Sequence, residues 1–379
     1  MGRPQFDTGR DNILSKPDYT KMSDETLLAE YESYRLKQKQ MNLNQMAKKI
    51  ALNSCYGSLG NRYSRYYDLR LATSITTMGQ LSIRFIADRL NRRLNKVLET
   101  EGIDFVVYVD TDSVHLNLND FVQKYQPEGT DTEKIKFLQD MGNTIQKIID
   151  REFISLGKIV NSHSPAFTME CEAISDKALW TGKKRYVLNV VADVDKIYPA
   201  AKEKIMGLEI KRSSTPDVVK PMLEKSIRLI LSDDIVAFRD YINVCREEFF
   251  SLPPEEIAFP RGVSSISKYI CTPSSVDLYK KGTPIAVRAA IMYNHLVATK
   301  KLSSKYSMMT DGSKIKFIYL KMPNPIHENV IGFNNALPAE FDAHDYIDTE
   351  TQFSKTFIEP IESILQHIGW EIEETPTLF

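Results

Sequence analysis

Apolar positions along this chain repeat first with helical spacing, then in alternation, then with helical spacing again. Ser23 opens the segment SDET, a cap followed by acidic first-turn residues, and predicts a helix over 25–59. Leu43, Met46, Ile50 and Asn53 fall at helical spacing within it, and Gly57 and Gly60 mark its end. A second long helix is predicted over 72–99. Ile75, Leu81, Ile83, Ile86, Leu90 and Leu94 supply its apolar side, with Val97 and Leu98 in the last turn and Gly102 as the stop. Strands at 105–108 and 114–118 then flank the turn VDTDS, which puts acidic residues at a hairpin tip. A further helix is expected over 131–153, capped by Asp131 or Thr132.

From Ala166 the pattern changes to strands. The segments 167–180, 183–193 and 206–213 read as sheet. Helix returns after Ser214 or Thr215 as cap, with Pro216 in the first turn, and again over 234–248. Pro253, Pro254, Pro260 and Gly262 break the pattern. Residues 265–335 mix short strands with a helix near 287–299, and a last helix runs from after Phe353 to about Ile368. The tail GWEIEETPTLF reads as extended and acidic, and no internal repeat is visible. The fold class is α+β.

Composition adds limits. The 379 residues allow two or three domains. The sequence is 42% hydrophobic and 26% charged with a formal net charge of -1, so the average gives no sign of a polyanionic partner. Between Asn61 and Thr100, however, eight basic residues (Arg62, Arg65, Arg70, Arg84, Arg89, Arg92, Arg93, Lys96) outnumber Asp68, Asp88 and Glu99. That bias fits a face toward phosphates and equally a solvated helix face. Cysteines 55, 171, 245 and 271 form no closely spaced pair, which argues against a zinc ribbon or a disulfide scaffold. The six histidines include no HExxH. With no stretch apolar enough to span a bilayer and no apolar signal core in MGRPQFDTGR, a cytoplasmic protein is expected.

Three constellations could carry chemistry. Asp110 and Asp112 lie two apart around an apolar strand, so strand alternation predicts that they share a face. Two close carboxylates fit a solvated turn, or hard-oxygen ligands for magnesium. Lys49 and Asn53, four apart on a helix, share a face that suits a triphosphate, and the Tyr56-Gly57 pair offers a flat surface for base stacking. Lys183, Lys184, Arg185 and Tyr186 begin a strand. Alternation there puts Lys183 with Arg185 and Lys184 with Tyr186, a pattern that suits either a DNA backbone or a charged, aggregation-resistant edge.

In order, KKIALNSCYGSLGN, YYDLRLATSITTMGQ, YVDTDSV and KKRY resemble the family B DNA polymerases, most closely those of T4-like bacteriophages. The resemblance is strong over about 40–215. It implies a right-hand polymerase fragment with a long fingers helix, an antiparallel palm sheet and a mostly helical thumb. The implied division is 1–60 as the C-terminal part of the fingers, 61–213 as palm, 214–368 as thumb and 369–379 as a flexible tail. It also implies roles. Asp112 matches the palm ligand that bridges two Mg2+ ions, with Asp110 as its companion and Thr111 between them at the primer end. Lys49, Asn53, Tyr56 and Gly57 match the residues that meet the incoming dNTP and test the nascent pair. Lys184, with Lys183, Arg185 and Tyr186, matches the primer-template DNA contact near the primer terminus. Leu378 and Phe379 resemble the anchors of a peptide that binds a sliding clamp.

One departure stands out. The family's second catalytic aspartate lies in a D-x2-S-L-Y-P motif, and no SLYP occurs here; the exonuclease acids, usually in an early D-x-E segment, would have no room before residue 40. The expectation is therefore the C-terminal subunit of a split DNA-directed DNA polymerase in the cytoplasm of an infected bacterial host. An N-terminal polymerase subunit would supply the exonuclease and the first palm motif. The alternatives are a non-catalytic primer-template-binding remnant and, less favoured because no terminal-protein insertion follows Asp68, a protein-primed relative.

Overall fold

The computed structural model describes residues 19–163, 167–271 and 277–372. Leu378 and Phe379, the residues expected to anchor a clamp-binding peptide, lie outside the described residues. Two compact units emerge. One comprises residues up to Leu116 with Leu156–Asn161; the other comprises Asn117–Ser155 and the chain from Ser162 on.

The first unit begins with helix α1, Asp24–Gly60, whose N-cap Ser23 accepts from the Thr26 amide as the SDET pattern predicts. Helix α2, Leu69–Leu98, starts three residues earlier than the predicted 72, because Asp68 is a strong cap: its carboxylate accepts from the Arg70 and Leu71 amides. Ile83, Ile86, Leu90, Leu94 and Leu98 line the buried face of α2. Strands β1, Val106–Asp110, and β2, Ser113–Leu116, form an antiparallel hairpin beside that helix.

α1 behaves differently. None of its residues is buried, and Leu43, Met46 and Ile50 remain 62%, 56% and 58% exposed. The helical spacing of these residues makes an apolar stripe with no cover among the described residues.

The second unit opens with α3, Asn119–Tyr125, and α4, Asp131–Ile159, whose last turn belongs to the first unit. Its cap is Thr130 rather than Asp131 or Thr132. The Thr130 hydroxyl faces the Glu133 amide at 3.4 Å, while the Glu133 carboxylate accepts from the Thr130 amide at 2.8 Å, a reciprocal capping box. Strands β3, Ile174–Gly182, β4, Arg185–Ala192, and β5, Ile197–Met206, form an antiparallel sheet in that order. The third strand thus lies upstream of the expected 206–213. Gly207 takes φ +67 and ends it, and Glu209–Lys211 coils into a 3-10 turn.

Helices α5, Val219–Leu231, and α6, Ile235–Ser251, follow. α5 starts beyond Pro216 with no side-chain cap, whereas Asp234 caps α6 through the Ala237 amide. Short α7, Pro254–Ile257, strand β6, Phe259–Gly262, and short α8, Ile266–Tyr269, lead to α9, Ile285–Thr299. Strands β7, Lys314–Tyr319, and β8, Val330–Phe333, complete a sheet ordered β6-β7-β8. The last helical stretch starts before Phe353: α10, Thr349–Phe353, a π turn Ser354–Ile358, and α11, Glu359–Leu365. The core of this unit joins α5, α6, α9, β8 and the closing helices around fully buried Phe238, Phe249, Phe353 and Phe357. Gly332 on β8 lets the strand approach α9, since a Cβ there would sit 3.0 Å from the Ala289 carbonyl oxygen.

Candidate functional site

The carboxylates at 110 and 112 stand at the tip of the β1–β2 hairpin, as the VDTDS turn predicts. Their arrangement is not that of strand neighbours. Asp110 pairs with Ser113 as the last rung, and Thr111 and Asp112 form the turn. The Asp112 amide donates to the Asp110 carbonyl at 2.6 Å, closing a tight turn around Thr111 at φ +54. A β-branched residue there is under backbone strain. Period-two alternation therefore stops at Asp110 and cannot place Asp112 on the same face. The Thr111 hydroxyl donates to Asp110 Oδ1 at 2.9 Å, and Ser113 Oγ donates to the Asp110 carbonyl at 3.2 Å. Asp112 is exposed and Asp110 half-buried.

Two asparagines on α2, which the sequence reading did not single out, root this hairpin. Asn91 Oδ1 accepts from the amides of Phe105 and Val106 at 2.9 and 3.0 Å, and its Nδ2 donates to Asp104 at 2.6 Å. Asn95 Nδ2 donates to the Ile103 carbonyl at 2.7 Å, while its Oδ1 accepts from the Ile103 amide and the Thr100 hydroxyl. The available signal was polar residues four apart on an otherwise apolar helix face. Val106 packs at the base, and Tyr108 meets His115 edge to face at 5.3 Å.

The donor chemistry at the tip is hard oxygen, which suits magnesium: that ion takes one or two protein carboxylates and completes its shell with water and phosphate oxygens. Asp112 and Asp110 fit such a partial ligand set. Among the described residues no group of three or more His, Cys, Asp or Glu is placed to hold a metal ion.

Lys49, Asn53, Tyr56 and Gly57 are exposed on the C-terminal half of α1, within one side of the helix. Open space surrounds Gly57, where an added Cβ would meet nothing within 4 Å. The following loop carries Arg62, Tyr63, Arg65 and Tyr66, all exposed, with Tyr63 at 90%, around half-buried Ser64.

Lys183-Lys184-Arg185-Tyr186 belongs to the second unit, and alternation fails here too. Gly182 pairs with Arg185, so Lys183 and Lys184 are the two turn residues, with Lys184 at φ +60. Only Arg185 and Tyr186 are in the strand. Tyr186 is buried. Arg185 directs Nη2 to Glu209 at 3.2 Å and to Ser363 Oγ at 3.3 Å. The lysines stay exposed; the arginine and tyrosine face protein. Among the described residues no helix is long and apolar enough to cross a membrane.

A family model described as DNA polymerase family B matches residues 25–368. The chain is 33% identical over 355 residues to the DNA-directed DNA polymerase of Enterobacteria phage T4, covering 89% of this chain and 38% of that one. Against the DNA-directed DNA polymerase of Escherichia phage RB69 the identity is 31% over 350 residues, covering 88% and 38%. The DNA polymerase of Pyrococcus glycovorans is 23% identical over 338 residues, covering 88% and 36%. The chain thus spans less than two fifths of the length of these relatives.

Proposed function

The chain belongs to DNA polymerase family B, and from that premise we propose that it is the C-terminal part of a replicative DNA-directed DNA polymerase. It adds dNMP to a primer 3'-hydroxyl, and acts only with a polypeptide that carries the second catalytic aspartate and the exonuclease. The carrying observation is that the polymerase-like motifs fall in order within the family match at 25–368, with Asp110-Thr111-Asp112 presented at an exposed hairpin tip. The fingers, palm and thumb would correspond to 1–60, 61–213 and 214–368.

In this reaction the primer oxygen forms a bond to the α-phosphorus of the dNTP. The bond from that phosphorus to the bridging oxygen breaks, pyrophosphate leaves, and the hydroxyl proton passes to solvent. Asp112, with Asp110 beside it and the partner's aspartate completing the set, would hold magnesium, which would supply positive charge to the phosphate oxygens. Lys49 neutralises charge on the departing phosphates, a gain realised in the transition state. Asn53 holds the nucleotide, Tyr56 packs its ring beneath the nascent pair, and Gly57 leaves room for that base. The hydroxyl of Thr111 orients Asp110. Lys183 and Lys184 contact the duplex.

The uncovered α1 stripe supports a partner that buries it, since exposed apolar patches of this kind mark interaction surfaces. A sliding clamp is the partner proposed for Leu378 and Phe379. The test mixes this chain with the complementary polypeptide, magnesium, dNTPs and a primed template. Extension by the mixture but by neither chain alone is expected; full extension by this chain alone would refute the shared site. A non-catalytic primer-template-binding remnant is the second reading. Under it, the mixture extends nothing and duplex binding persists.

A further inference from the structure

The two-lysine turn is held from several sides by residues far away in the sequence. Below it lies Gly207, at φ +67, one residue past β5. A Cβ at that position would come within 1.9 Å of the Lys184 carbonyl oxygen, so the backbone of the turn rests directly on the glycine. On one flank, Arg185 Nη2 binds Glu209 Oε2 at 3.2 Å and Ser363 Oγ at 3.3 Å. Glu209 is itself fixed, because Arg212 pairs with its other oxygen at 3.2 Å and the Thr215 hydroxyl donates to its carbonyl at 2.6 Å. On the other flank, His367 Nε2 lies 2.8 Å from the Thr181 carbonyl. A carbonyl can only accept, so the ring nitrogen donates.

Ser363 on α11 and His367 just past its end are four residues apart and share one side of the helical stretch. That side reaches Thr181, two residues before Lys183, and Arg185, the residue after Lys184. One helical edge thus touches both strands beside the turn, across 178 and 186 residues of sequence.

We propose that Arg185 and His367 are positioning residues: through them α11 clamps the Lys183–Lys184 turn, fixing where the two ammonium groups meet a DNA phosphate backbone. The DNA role rests on the polymerase reading above; the clamp itself does not. The arginine is thereby reassigned. With its guanidinium engaged by Glu209 and only 31% exposed, it acts through the turn instead of contacting DNA. Lysine side chains are long and lose rotamer freedom on binding, so fixing their backbone origin lowers the ordering cost of each phosphate contact. Such contacts set the register of a protein on a duplex.

The test uses the full chain with a fluorescent primer-template duplex across a salt series. Replacing both lysines (Lys183→Ala with Lys184→Ala) should flatten the log-affinity against log-salt slope by about two, one unit per phosphate contact. Arg185→Met and His367→Ala should each weaken binding several-fold and flatten the same slope. Added to the lysine double variant, they should have little further effect, the non-additivity expected of residues acting through one another. Arg185→Lys should restore part of the binding. Independent effects that multiply would overturn the positioning role. Hydrogen exchange of the 181–186 amides, measured without DNA, should accelerate in His367→Ala, an exposed replacement that leaves the melting temperature unchanged. Unchanged exchange overturns the clamp. Failure to bind duplex at low salt, both by the parent chain alone and by its mixture with the complementary polypeptide, overturns the DNA role and the polymerase reading, while faster exchange in the same sample still establishes the clamp.

Discussion

The two charged hairpin tips of this chain are built alike and supported differently. Asp110–Ser113 and Gly182–Arg185 each close a strand pair with a two-residue turn, and each turn contains a non-glycine residue in the left-handed region, Thr111 at φ +54 and Lys184 at φ +60. One tip presents carboxylates, the other ammonium groups. The acidic tip is rooted locally: Asn91 and Asn95 grip the chain at Ile103, Phe105 and Val106, within 8 to 15 residues. The basic tip is held by Glu209, Ser363 and His367, up to 186 residues away. The difference shows that like charges can be held at a turn either by one neighbouring helix or by elements that meet only in the folded unit.

Four experiments break or sharpen that contrast. The largest effect falls on the acidic tip: if the proposed two-chain polymerase is right, Asp112→Ala should abolish primer extension by the mixture, a loss of at least about a thousandfold, while duplex affinity changes little. Steady-state extension and a binding titration measure the two separately, and equal losses in both would overturn the metal role proposed for Asp112. Next is Gly207→Ala beneath the basic tip. A Cβ cannot fit 1.9 Å from a carbonyl oxygen, and φ +67 adds strain, so stability should drop by about 2–4 kcal/mol in denaturant unfolding. A neutral result would mean that the turn lifts freely.

Asn91→Ala removes the acceptor for two backbone amides at the root of the acidic tip, and should cost about 1–3 kcal/mol. The loss should appear in the first unit, with faster exchange at residues 103–110 and none at 181–186. Equal acceleration at both hairpins would contradict their separate support.

The smallest effect is acid sensitivity at the start of α2, the helix that carries both asparagines. The hydrogen bond from the Arg70 side chain, followed by the Leu71 and Arg70 amides, holds the Asp68 carboxyl below the usual aspartate range. A depressed folded pKa means that the stabilisation is present above the unfolded value near 4 and is lost as pH falls through the lower folded one. Helical signal should therefore fall slightly as pH drops below about 4, and Asp68→Asn, which keeps a capping oxygen, should flatten that fall. An identical profile in the variant would remove Asp68 as the cause.

Much of this molecule was legible along the chain. Helical spacing located α1, α2, α6 and α9 to within a few residues, because each carries an apolar periodicity or a cap such as Ser23 or Asp234. The turn at VDTDS, the exposure of Lys183 and Lys184, and the motif order that matches the family also follow from local residue types. Alternation failed at both tips for one reason: it describes extended backbone, and at Thr111 and Lys184 the chain is not extended. Likewise the third strand of the β3-β4-β5 sheet lies away from the expected 206–213 because its residues, IYPAAKEKIM, lack an alternating pattern and pair through backbone bonds to β4. Only the tertiary structure decided that Arg185 faces Glu209 and Ser363, that Gly207 lies under a lysine carbonyl, and that the apolar stripe of α1 stays uncovered among the described residues. Local preference is set by each residue and its near neighbours; partners separated by nearly two hundred residues are chosen by how the packed elements meet.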